Sequence, residues 1–255
     1  MALMQCDFFS DVLGLSMSAN VILPQHTKKQ IGMEGKSRDG KWPCLYLLHG
    51  MSDDHTIWLR RTSIERYVAD KGIAVIMPAV HKSRYCDLKT GDRYWEYISE
   101  EVPRLMRDFF PISDKREDNF VAGLSMGGYG AFKLALNKPG QYSAGASLSG
   151  SLYTDWNRDP KRIQSMKLAF GSEEEFATSI NNLVYVAQKL GRSPEPKPRF
   201  YQCCGTEDSL YESNQKYKAV LEEQDFDYTY EEEPGSHEWG YWDMKIQRVL
   251  EWLQL

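Results

Sequence analysis

Residues 119–131 read Asn-Phe-Val-Ala-Gly-Leu-Ser-Met-Gly-Gly-Tyr-Gly-Ala. The apolar run Phe120-Val121-Ala122 reads as a strand, and Gly127, Gly128, Gly130 and Ala131 open a helix of small residues. Between them, Gly123-Leu124-Ser125-Met126-Gly127 matches G-x-S-x-G, the pattern of a serine held on a sharp strand-to-helix turn. Five residues alone recur by chance, and a plain helix start capped by Ser125 would also fit them. Strand, turn and small-residue helix together favour the turn. It forces the serine backbone into strained angles and lifts the hydroxyl clear of the sheet, and the flanking glycines leave room for it. The helix N-terminus adds positive potential and a free backbone N–H beside the hydroxyl.

Working outward, short apolar runs alternate with helical patterns, which predicts a mostly parallel sheet covered by helices on both faces. Buried strands are expected at Cys44–Leu48 and at Ile73–Met77 (ended by Pro78), further strands at Asn119–Leu124 and Ser143–Leu148, and the last two strands at Arg199–Cys204 and Asp227–Glu231. Gln5–Ser10 and Met17–Leu23 read as an antiparallel edge hairpin around Gly14. Helical spacing covers Thr62–Lys71, Asp92–Phe110, Gly127–Asn137 and Tyr241–Leu255, and Pro103 predicts a kink or break in the second of these. Ser151–Pro198 is longer and more charged, with helical patterns at Asp159–Leu168 and Glu173–Leu190. It reads either as a lid-like insertion or as an ordinary long crossover. The whole is expected to be one α/β domain over residues 1–255, with 151–198 as its insertion.

Composition narrows the function. The 255 residues carry 31 Lys and Arg against 36 Asp and Glu, a net charge of −5, with 42% hydrophobic residues. Disorder would need fewer apolar residues and a larger net charge. A nucleic-acid partner would need a basic excess, so none is expected. No apolar run approaches the roughly 20 residues that span a bilayer, so no membrane association is expected either. Asp7 and Asp11 interrupt any signal-like apolar stretch, and the five scattered cysteines lack redox or zinc spacing. A cytoplasmic protein with free thiols is the expectation. Asp53-Asp54-His55 and Glu173-Glu174-Glu175 have no accompanying ligand cluster, so neither metal nor other cofactor is expected. The aromatic content of 13% hints at a lined pocket.

A serine on such a turn needs a base and an acid, and in α/β-hydrolases the chain order is Ser, then Asp or Glu, then His. Of the five histidines only His237 follows Ser125, in the loop after the last strand. A neutral imidazole there can take the serine proton and return it to the leaving group. The acid belongs after the Arg199–Cys204 strand, where Asp208 is the first choice, Glu207 the fallback and Asp155 a weaker alternative further upstream. A tetrahedral intermediate needs two preorganised N–H donors. One is the amide of Met126; the second is that of Met51, or Gly50, in Leu47-Leu48-His49-Gly50-Met51. His49 is expected to brace this loop at the substrate-binding site rather than act as base. Trp58, Trp156 and Trp239 fall near the motifs and are candidates for lining the pocket.

The segments LLHGMSDD (47–54), GLSMGGYGAFKLAL (123–136), CGTEDSLY (204–211) and GSHEWGYW (235–242) together resemble an esterase family of α/β-hydrolases. That family includes tributyrin, acetyl and feruloyl (cinnamoyl) esterases, S-formylglutathione hydrolases and mycolyl transferases. The N-terminal hairpin and YWEYISEEVPRLMRDFF (94–110) extend the resemblance over nearly the whole chain, with 151–198 anchored least. The resemblance implies Ser125, Asp208 and His237 as triad and Met51 with Met126 as oxyanion donors. It further implies hydrolysis of small short-chain acyl esters, feruloyl esters among them, and oligomers. Thioester hydrolysis or acyl transfer are the alternatives. S-formylglutathione hydrolases have longer chains, which weighs against that alternative.

Overall fold

Strand β3 (Cys44–Leu48) has no exposed residue, so its two faces need separate covers. The computed structural model, which describes residues 1–156 and 160–255, supplies them. β4 (Ala74–Pro78), β5 (Asn119–Leu124) and β6 (Ala144–Leu148) are likewise buried at every position. Successive side chains go to opposite faces. Tyr46, Ile76 and Val121 enter a core built with α3 (Tyr94–Glu96), α4 (Val102–Phe109), α5 (Met126–Asn137), α8 (Leu183–Gly191) and α9 (Tyr211–Glu222). Leu45, Val75 and Phe120 enter a second core closed by α1 (Ile57–Arg61), α2 (Ile64–Tyr67) and α10 (Trp239–Trp252).

Among the described residues the sheet has eight strands in the order β1-β2-β4-β3-β5-β6-β7-β8, with β1 Ala2–Ser10, β2 Leu15–Leu23, β7 Arg199–Gly205 and β8 Tyr228–Glu233. β1 and β2 form the expected hairpin, β2 pairs antiparallel with β4, and every other pairing is parallel. This is the α/β-hydrolase architecture. After β3 the chain moves outward to β4 and then returns to the other side of β3 as β5. That reversal puts the carboxyl ends of β3 and β5 side by side, with Leu48 opposite Gly123, and opens a crevice beyond them. β7 and β8 are likewise neighbours, ending at Gly205 and Glu233.

The helices depart from the sequence reading in identifiable ways. Thr62 separates an unanticipated helix, α1, from α2: its hydroxyl donates to the Trp58 carbonyl at 2.6 Å and accepts from the Ile64 amide at 3.2 Å. That competing local bonding ends α1, and of the expected Thr62–Lys71 helix only the short α2 forms. The break expected at Pro103 is a π-helical turn, Tyr97–Glu101, joining α3 to α4. The 173–190 pattern divides into α7 (Glu173–Ala177), which Ser172 caps, and α8, where Asn182 accepts from the amides of Val184 and Tyr185. α6 (Pro160–Phe170) matches the expected 159–168 pattern apart from Asp159, which lies outside the described residues. α9 was not anticipated, because Tyr217 and Leu221 give it only a narrow apolar stripe. No helix among the described residues is long and apolar enough to cross a membrane.

α5 reaches the crevice because two glycines let it. A Cβ on Gly127 would collide with the Leu48 and His49 carbonyl oxygens, and one on Gly123 with Gly127 itself. Gly127→Ala is therefore expected to destabilise the fold by about 2 kcal/mol or more in urea denaturation. Gly140→Ala, where nothing lies within 4 Å of the new Cβ, serves as the control and should shift the midpoint little.

Candidate active site

Ser125 stands between the last residue of β5 and the first of α5 with φ 53° and ψ −115°, a region side-chain-bearing residues avoid. Its own amide donates to the Leu148 carbonyl of β6 at 2.9 Å, and its carbonyl accepts from Tyr129 at 3.1 Å. These bonds hold the strained turn. The Ser125 hydroxyl lies 3.0 Å from Nε2 of His237. On the other side of the ring, Nδ1 lies 2.8 Å from Oδ2 and 3.1 Å from Oδ1 of Asp208. The structure thus brings Ser125, His237 and Asp208 into one hydrogen-bonded line, from the ends of β5, β8 and β7.

The Asp208 carboxyl is fully buried, while the His237 side chain remains 31% exposed. Burial is the largest single influence on Asp208 and raises its pKa. The hydrogen bonds from His237 and from the Leu210 amide (2.8 Å) outweigh burial and hold the carboxyl below its usual range. Glu207 does not reach the imidazole; its carboxylate accepts from the Gly235 amide and so braces the loop that carries His237. Trp242 supports the ring from behind, edge to face at 4.8 Å.

The loop after β3 has its carbonyls turned away from the crevice. Trp58 Nε1 donates to Leu48 O at 3.1 Å, and the Tyr85 hydroxyl donates to His49 O at 2.9 Å. His49 Nδ1 lies 2.7 Å from Gly50 O, while its Nε2 accepts from the Val80 amide at 3.0 Å. The Val80 contact assigns the proton to Nδ1, which donates to Gly50. In a trans peptide the N–H opposes the C=O, so fixing Gly50 O aims the Met51 N–H the other way. Gly50 itself faces Ser125, with an added Cβ coming 3.8 Å from the serine Cβ. Among the described residues neither the Met51 nor the Met126 amide donates to a protein acceptor.

A cavity of about 460 Å³ opens over Ser125, His237, Met51 and Met126. Its apolar wall is Tyr129, Tyr153, Met166, Phe170 and Leu210, and Arg84 and Asp155 add charge to it. Part of the 151–198 stretch therefore forms one wall. The tryptophans expected in this wall lie elsewhere. Trp58 is 1% exposed and sits in the second core. Trp239 stacks edge to face between Trp58 and Trp242, at 5.3 Å from each. Trp156 borders a smaller neighbouring cavity with Phe176. His49 is buried behind the loop and does not touch the cavity. Of the residues that do line it, Tyr129 was not anticipated, although its spacing carried a signal: it stands one turn after Ser125. Arg84 and Phe170 carry no comparable signal. No cluster of potential metal ligands occurs among the described residues.

The family model described as "Putative esterase" matches residues 10–253. The chain belongs to this family. An acetyl esterase of Caldicellulosiruptor saccharolyticus is 29% identical over 263 residues, covering 99% of this chain and 98% of that one. Two solved structures from Staphylococcus aureus are each 32% identical, with 99% of this chain and 98% of theirs covered. One is the fluorophosphonate-binding serine hydrolase FphF (TM-score 0.85) and the other the S-formylglutathione hydrolase FrmB (TM-score 0.83). The protein is an esterase-type serine hydrolase acting on carboxylic esters. The full-length match to FrmB removes chain length as an argument against thioester hydrolysis.

Burial lowers the His49 pKa from 6.5 to about 4. A protonated ring would also meet the Val80 N–H with a second donor. The unfolded chain thus binds a proton over this window that the folded chain refuses, so stability present above about pH 6.5 is lost as pH falls towards about 4. The loss is on the order of 3 kcal/mol. Urea midpoints measured across that range should fall less steeply in His49→Gln than in the parent.

Proposed function

We propose that Ser125 is the nucleophile, His237 the base and then the acid, and Asp208 the carboxylate that fixes the imidazole. The hydrogen-bonded line from the serine hydroxyl to Asp208, opening into the cavity, carries this reading. Ser125 Oγ attacks the acyl carbonyl while Nε2 takes its proton. The carbonyl oxygen becomes an oxyanion between the Met51 and Met126 N–H groups, with Gly50 leaving room for the approach. When the tetrahedral intermediate collapses, the C–O bond to the alcohol breaks and the alcohol leaves with the proton from Nε2. Water, deprotonated by the same nitrogen, then attacks the acyl-enzyme and releases the acid and free Ser125. Asp208 stays ionised and stabilises the imidazolium formed in each half.

The substrates we propose are short-chain acyl esters, acetyl and butyryl, together with feruloyl or other cinnamoyl esters. The apolar wall of Tyr129, Met166 and Phe170 supports an acyl group of modest size, flat aromatic acids included. The full-length similarity to an acetyl esterase supports the small end of that range. Thioester hydrolysis is the second reading, favoured by the equally full-length similarity to FrmB. The five free cysteines, four of them buried, support a reducing, cytoplasmic setting.

On p-nitrophenyl acetate and butyrate, Ser125→Ala should lower turnover by several orders of magnitude. Near-parental rates would sink the assignment. Asp208→Asn should cost about 10⁴-fold in kcat, and Glu207→Gln far less; the reverse order would transfer the acid's role to Glu207. Comparing kcat/KM for S-formylglutathione and p-nitrophenyl acetate separates the two readings, and a clear preference for the former would make the thioester reading primary.

A further inference from the structure

Lys133 lies two turns after Ser125 on α5, and its side chain is fully buried. Among the described residues no carboxylate forms a salt bridge with it, and Asp87 acts on it only at longer range. Its ammonium donates to the Tyr85 carbonyl at 2.8 Å and to Asn181 Oδ1 at 2.6 Å. It also lies 3.3 Å from Cys86 Sγ and 4.5 Å from the centre of the Trp95 ring. A buried cation without an anion is expensive, and a neutral side chain of the same shape would suit an apolar site better. What the ammonium provides is a pair of charge-assisted bonds, one to the Asn181 side chain and one to a backbone carbonyl, that of Tyr85.

That carbonyl belongs to a strained residue. Tyr85 has φ 54°, after Arg84 at 53° and His81 at 51°, all in the left-handed region. A bulky residue stays there only where its surroundings hold it. The Tyr85 ring lies against Gly130 of α5, where a Cβ would overlap it. Its hydroxyl ends on the His49 carbonyl at 2.9 Å. Tyr85 therefore has its backbone held by the helix that carries Ser125 and its side chain holding the loop that carries Met51.

We propose that Lys133 is a positioning residue for the oxyanion hole. By fixing the Tyr85 carbonyl it keeps the strained tyrosine in place, and the phenol then holds the His49–Gly50 peptide plane, on which the next plane, fixed by His49 Nδ1 at Gly50 O, turns the Met51 N–H towards Ser125. This rests on Met51 and Met126 being the oxyanion donors. Ser125, His237 and Asp208 share no hydrogen bond with the Lys133–Tyr85–His49 chain, so its loss leaves their alignment intact.

The test compares Lys133→Met, Lys133→Gln, Tyr85→Phe and the Lys133→Met/Tyr85→Phe double variant. Rates on p-nitrophenyl acetate are normalised to the active fraction titrated with p-nitrophenyl diethyl phosphate. A phenylboronic acid, which forms a tetrahedral adduct with the serine, probes the hole directly. Each of Lys133→Met and Tyr85→Phe should lose about tenfold or more in kcat, with KM moving by less than about twofold. Boronate Ki should rise in step with the fall in kcat/KM. The double variant should lose little beyond either single one, since both act through one chain of bonds, and Lys133→Gln, which keeps an N–H donor, should recover part of the loss. Unchanged normalised kcat, unchanged boronate Ki, or losses that multiply in the double variant would overturn the proposal. If Lys133→Met does not fold, the same cycle run with Lys133→Gln decides. A Ser125→Ala variant that kept its turnover would remove the underlying reading, whereas its inactivity beside unaffected Lys133 variants would remove only this inference.

Discussion

The site depends on a place where nothing intervenes. Gly127 lets the first turn of α5 press against the carbonyl ends of β3, and Gly123 lets the chain turn beneath it. With side chains at either position, the helix would stand off the sheet. Ser125 would then lose its register with the loop after β3, and the cavity would lose its floor. The strained serine, the loop amides and the buried tyrosine against Gly130 all follow from that one close approach.

Much of this was legible in the sequence. Strands β3 and β4 announced themselves as apolar runs, because a strand covered on both faces has no polar alternation to hide it. One short pattern, with the order in which acids and histidines follow it, singled out Ser125, Asp208 and His237, which the structure brings into one hydrogen-bonded line just beyond three strand ends. The helices were harder to read. Thr62 set the boundary between α1 and α2 by bonding to its own neighbourhood, and Asn182 divided another pattern by capping its second half. Both effects depend on a single side-chain rotamer, which periodicity does not register.

The pocket was the least legible part. Tryptophans near the motifs in sequence were natural candidates for its wall, yet Trp58 and Trp239 turn into the second core, where large apolar area is worth most. The wall is instead assembled from Arg84 on a strained loop, Tyr129 one turn past the serine, and Met166 with Phe170 from the segment between β6 and β7. Their convergence is a property of the fold and has no local signature. The same segment reaches the buried ammonium of Lys133 through Asn181, so the cavity wall, the helix after Ser125 and, through Tyr85, the loop carrying Met51 share one anchoring point.

The stack of Trp58, Trp239, Trp242 and His237 has an optical consequence. The last indole in this series touches the imidazole edge to face, and an imidazole that gains a proton becomes a cation against an aromatic ring. Indole emission responds to such a change in local field. In the proposed cycle the imidazolium forms twice per turnover. The protein thus holds an intrinsic fluorophore in contact with the group that changes charge, and needs no added label for its protonation state to be followed in time.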